Sequence, residues 1–191
     1  MRLRVLITLS ILSLAAVGGV LARTRSVPLV ETARRADTAV LATCTTARGI
    51  QAGTGGMIYT VYEFSRRETL AGESPGATFA LRVAGGTAGR YRVVLHDAPR
   101  FQPGQSYLLL LRRTDRDGSL LVAGAMNGIA PVRPAGESGK WEIALSRRQI
   151  ALTDAKSASP GQTAAAAATP FWRRLDDIRP LLQNAIGEVA Q

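Results

Sequence analysis

The sequence is poor in the residues that most often carry chemistry. It contains one cysteine and one histidine in 191 residues. A single cysteine excludes an internal disulfide, so the fold must be held by its own core. One histidine and one cysteine cannot complete a zinc shell without carboxylates, and no metal-ligand spacing is present. No cofactor-binding motif is found either. Aromatic residues make up only 5%. That leaves few rings to spare for stacking bases, which counts against a nucleic-acid partner. Lysine is nearly missing: Lys140 and Lys156 are the two, so the formal charge of +10 is almost wholly arginine. Beyond Ala22, no apolar run approaches membrane-spanning length.

What is present begins with a three-part leader. Arg2 and Arg4 precede an apolar or small-residue run from Val5 to Ala22, and Val20-Leu21-Ala22 offers small residues to a signal peptidase. This predicts a signal peptide over 1–22 cleaved at Ala22, and hence a periplasmic or extracellular protein. An uncleaved run would act as a membrane anchor. No lipobox cysteine follows it. Residues 23–35, basic and broken by Pro28, read as a lead-in segment.

From Ala36 to about 150 the pattern is strands and turns. Val40, Ala42 and Cys44 alternate on one face, which makes Cys44 a small buried hydrophobe. "MIYTVYEFSRRETL" is rich in sheet-favouring residues. "ATFALRVA" alternates cleanly, with Phe79, Leu81 and Val83 on one side. "RYRVVLHD" alternates again, which assigns Tyr91, Val93 and Leu95 to a buried face and Arg90, Arg92 and His96 to a polar one. "GGTAG" and "TDRDG" read as turns. "YLLLLRR", apolar on both faces, reads as a central strand covered on both sides. "SLLVAGAM" and "GKWEIAL" complete the set. The expected fold is all-β, a small OB-like barrel or sandwich of short antiparallel strands with a C-terminal helix. Residues 151–168 form an Ala/Ser/Pro-rich linker. A helix over 169–191 is predicted from Thr169 as N-cap, Pro170 at the first turn, and Phe171, Trp172, Leu175 and Ile178 at helical spacing, with Pro180 as a kink or break.

The candidate chemistry is thin. His96-Asp97 could suggest half of a catalytic site, but neighbours on a strand point to opposite sides, so Asp97 reads as the start of a turn. A Cys44–His96 nucleophile and base has no supporting context. "GTGG" and "GGTAG" lack the strand-to-helix setting of a phosphate loop. Glu63, Glu68 and Glu73 form no paired-acid motif. The catalytic set is therefore empty. The remaining candidates are basic: Arg66-Arg67, Arg90, Arg92, Arg112-Arg113 and Arg147-Arg148, of which the first six residues form a candidate anion- or partner-binding set.

Several stretches together resemble a group of exported bacterial OB-like β-barrel domains. They are Ala36-Asp37-Thr38-Ala39-Val40, Tyr62-Glu63-Phe64 through Gly72, Gly85-Gly86, Ala98-Pro99-Arg100-Phe101, Pro103-Gly104-Gln105 and Tyr107 to Leu111. The resemblance covers residues 36 to 133 and is similar in outline to netrin modules and tissue inhibitors of metalloproteinases. The usual Lys is Ala71 here and the usual Glu is Gln105. The resemblance implies a fold and no catalytic residue. The expected function is a non-enzymatic exported binding module for a protein or envelope component, with loops Arg48–Gly56 and Asp97–Ser106 as contact surfaces. The alternatives are a basic surface binder of anionic lipid or polysaccharide, and a small thiol or hydrolytic enzyme.

Overall fold

A computed structural model describes residues 28–52, 56–136, 140–145 and 171–188. The leader, the linker and Arg147-Arg148 lie outside them. In chain order, a short helix α1 (Leu29–Ala33) precedes β1 (Thr38–Ala52) and β2 (Met57–Gly72). Then come β3 (Thr78–Ala84), β4 (Gly86–Ala88), β5 (Tyr91–Val93), β6 (Ser106–Arg113) and β7 (Leu120–Val122). A single 3-10 turn (Ala125–Gly128) leads into β8 (Ile129–Ala135), followed by β9 (Lys140–Leu145), β10 (Phe171–Arg174) and helix α2 (Leu175–Gly187).

The fold is a predominantly antiparallel β-sheet with a C-terminal helix. The main sheet runs β10-β9-β8-β6-β1-β2-β3, with β7 added to the far end of β6. β1 and β2 pair along nearly their whole length, with register shifts at Ala39/Val40, Leu41/Ala42 and Cys44/Thr46. Such irregularities bend a strand and tighten its twist. The sheet curls accordingly, until Cα atoms of β3 and β7 come within 8 Å. Among the described residues no ladder joins these two strands.

Alternation along β1 and β6 feeds two cores. Ala39, Leu41, Leu108 and Leu110 face one side, under Leu29 and Ala33 of α1 and Leu175, Ile178, Leu182 and Ile186 of α2. Val40, Ala42, Cys44, Leu109 and Leu111 face the other, with Tyr62, Phe64, Phe79, Phe101 and Tyr107. β6 is therefore the two-faced central strand that its sequence implies, and each of its buried leucines contributes about 1.5–3 kcal/mol.

Several local expectations are corrected. Phe171 to Arg174 form a strand on β9, not the first turn of a helix. The helix begins at Leu175, and Arg174, not Thr169, is its N-cap. It runs through Pro180 without dividing. This proline lies in the second turn, where its missing N–H removes one early bond, and packing of the apolar face outweighs that loss. Residues 29–33 of the lead-in segment pack into the core instead of preceding it. "GGTAG" is the first strand of a hairpin, not a turn. β8 was not anticipated at all, because Pro131 and Pro134 argue against a strand. Its Ile129–Val132 half pairs with β6 and its Val132–Ala135 half with β9. Each proline thus sits where one side of the strand has no ladder partner. No helix among the described residues is long and apolar enough to cross a membrane.

Candidate functional site

The stretch "YRVVLHD" departs most from its sequence pattern. β5 ends at Val93 and pairs only with β4. β4 packs against β1 and β2, while β5 is exposed along its whole length. Tyr91, Val93 and Leu95, expected in the core, are 49%, 39% and 44% exposed. His96 does not share a strand face with Arg90 and Arg92. It stands in a turn with Asp97, which the backbone closes through the Ala98 N–H to the Leu95 carbonyl at 3.5 Å. Asp97 is thus a turn residue, but its side chain bonds no backbone amide among the described residues.

The same stretch forms one wall of a cleft of about 640 Å³. Opposite it lie Leu81 to Ala84 of β3 and Leu120 to Val122 of β7. The lining residues on both strands are consecutive, so strand edges, not single faces, front the cleft. These are the unpaired edges left by the open seam of the sheet. The lining is aliphatic except for Arg82, His96 and Asp97. The Arg82 guanidinium lies 3.8 Å from the centroid of the Tyr59 ring. A smaller recess of about 170 Å³ shares Val83, Ala84, Leu95, Ala98 and Pro99 with the cleft and adds Arg92. Leu121 and Met126, 39% and 53% exposed, continue the apolar surface beside it.

The chain that follows the cleft wall is anchored in the aromatic core. Phe101 is buried and meets Tyr62, Phe64 and Tyr107 edge to face at 5.0, 5.0 and 5.2 Å. The Tyr107 hydroxyl accepts the Gln102 N–H at 2.9 Å and donates to Gln105 Oε1 at 3.2 Å. Gly104 N–H donates to the Cys44 carbonyl, and Cys44 N–H to the Gln105 carbonyl. The Phe101–Gln105 half of the Asp97–Ser106 loop is thereby fixed. Burial raises the Tyr107 phenol above its ordinary pKa. Gln105 takes a neutral contact where a Glu would bring a charge.

Cys44 and His96 are not brought together. The thiol is fully buried in the aromatic core and donates to the Thr46 carbonyl at 3.5 Å. Desolvation pushes its pKa up, which suppresses the thiolate a nucleophile needs. His96 is exposed on the cleft rim. Among the described residues no three potential metal ligands cluster.

The six candidate arginines are dispersed. Arg66 Nε donates to the Gly76 carbonyl at 2.8 Å, and Arg67 Nε to Thr43 Oγ1 at 2.7 Å while its guanidinium lies over Trp141. Arg90 bonds the Tyr91 hydroxyl, and Arg92 borders the small recess. Arg112 and Arg113 stand at the end of β6, beside the start of β1. The β4–β5 hairpin crosses β1 near Gly49, toward its other end. Sequence reasoning missed the cleft itself, having assigned Leu95 to a buried face; Leu81 and Val83 do pack in the core and also line the cleft. The available signal was Val93-Val94-Leu95, three successive apolar residues where alternation stops. Comparison with protein-family models and with curated proteins finds no match to this chain.

Proposed function

We propose that this chain is an exported, non-enzymatic binding module that holds the apolar part of an envelope partner in the β3–β7 cleft. One observation carries the reading: a continuous aliphatic cleft lies between two unpaired strand edges, and exposed leucine, valine and methionine side chains surround it. Its volume is within the range of roughly 300–1,000 Å³ typical of ligand sites. Apolar surface left exposed beside such a cleft is the usual mark of a recognition site. The proposed scaffold is a partly open, OB-like barrel. The approach of β3 to β7 without a ladder supports that reading, because the seam then becomes the mouth of the barrel. Export rests on the Arg2–Ala22 leader. The absence of enzymatic activity is favoured by the buried, high-pKa thiol and its separation from His96.

A photo-crosslinking residue at Leu121 tests the proposal in the native envelope. Leu121 is expected to capture a discrete partner, and Asp177, exposed on α2, is not. Equal capture at both positions would sink the cleft as the recognition site.

A further inference from the structure

A third cavity, of about 510 Å³, lies at the turn between β6 and β7, lined by Asp37, Arg112, Arg113, Thr114, Asp115 and Arg116. None of its three arginines is in an ion pair among the described residues. Asp37 is engaged elsewhere, since its Oδ2 accepts the Arg113 backbone N–H at 2.7 Å. Three arginines therefore border a recess that also has two aspartates, one of them already bonded to the backbone.

This basic recess and the aliphatic cleft adjoin across one ladder. Arg112 pairs with Leu121, and Arg113 with Leu120. Directly paired residues share a face, with Cβ atoms about 4.5–5.5 Å apart. Both leucines line the cleft. Neighbours on a strand point to opposite faces, so Arg113 shares the core-side face of Leu120 and Arg112 the exposed face of Leu121. We propose, building on the cleft reading above, that the ligand is a single-chain anionic amphiphile. Its hydrocarbon chain lies in the cleft and its carboxylate or phosphate head reaches Arg113, the arginine on the Leu120 face.

Two observations select this occupant. An added peptide strand would need two ladder spacings of about 4.8 Å each between its neighbours. Cα atoms of β3 and β7 already stand within 8 Å of each other, which leaves no room for a third ladder strand. At the opposite rim, Arg82 is stacked on Tyr59 and Asp97 repels an anion, so the head points toward Arg113.

The test is equilibrium dialysis of the full chain with palmitate, with hexadecanol as its uncharged counterpart, and with the neutral dye Nile red. Palmitate is expected to bind about tenfold more tightly than hexadecanol, the difference a charged contact supplies. Arg113→Gln should abolish that preference and leave hexadecanol unchanged. Leu121→Asn should weaken all three ligands. Equal affinity for palmitate and hexadecanol, or an unaffected palmitate affinity in the arginine variant, overturns the inference. The cleft reading survives that result if Nile red still binds and Leu121→Asn still weakens it. Displacement of Nile red by an acidic apolar peptide but not by palmitate overturns the amphiphile in favour of a peptide. Failure of all three ligands to bind overturns both readings.

Discussion

Asp117 shows how one side chain can set a turn and make it respond to pH. Its Oδ1 accepts the Thr114 hydroxyl and, at 3.1 Å, the Ser119 N–H. These bonds favour the ionised form and lower its pKa from 3.8 to about 2. The unfolded chain then binds the proton more readily than the folded one, so stability rises with pH across that interval. The contribution is present in full above about pH 4 and fades as pH falls toward 2. Asp117→Asn should lower the urea midpoint at neutral pH, and the gap from the native chain should close as the medium approaches pH 2. A gap that stays constant over that window would contradict this account. The turn was legible from "TDRDG" because aspartate and glycine have strong local preferences. Cys44 was legible as a core residue because its neighbours alternate. The exposure of Leu95 was not, since no local preference tells a strand whether a second layer will cover it.

At the scale of elements, the β4–β5 hairpin is positioned by a close backbone approach. A Cβ at Gly49 would stand 1.7 Å from the Thr87 carbonyl oxygen. Gly85 and Gly86, at φ of +91° and +122°, turn the chain sharply out of β3 into this hairpin. Those φ values are accessible to glycine and strained for other residues. Gly49→Ala should therefore push the hairpin off β1 and disturb the cleft wall that follows it. The expected result is faster amide exchange across Gly86–Val93 and weaker Nile red binding, with the exchange of β6 unchanged. Exchange that rises uniformly across the sheet would contradict a local role. Glycine pairs can be seen in a sequence, but the backbone that passes over them cannot. The same limit hid β8, whose prolines are tolerated only because its two halves have different partners.

Over the whole molecule, α2 closes the fold against the sheet. Leu182 is fully buried, Gln183 Nε2 donates to the Leu70 carbonyl at 3.2 Å, and Arg179 forms an ion pair with Glu68. That pair is partly exposed, so it sets orientation more than stability. Leu182→Ala should cost about 2–5 kcal/mol, read by chemical denaturation. A change below about 0.5 kcal/mol, the range of ordinary surface substitutions, would mean that the helix does not seal the core. The helix was foreseeable from Leu175, Ile178, Leu182 and Ile186 at their spacing. Its starting point was not, because Phe171 and Trp172 fit a helical stripe and a sheet edge equally well. The leucine run of β6 has a further consequence. With both faces oily, sliding it by one position would swap Leu108 and Leu110 for Leu109 and Leu111 and wet almost nothing, so hydrophobicity alone cannot keep its place. The polar clasps at its two ends, Thr43 to Ser106 at 2.8 Å and Asp37 to the Arg113 amide at 2.7 Å, act as the stops that hold the slide still.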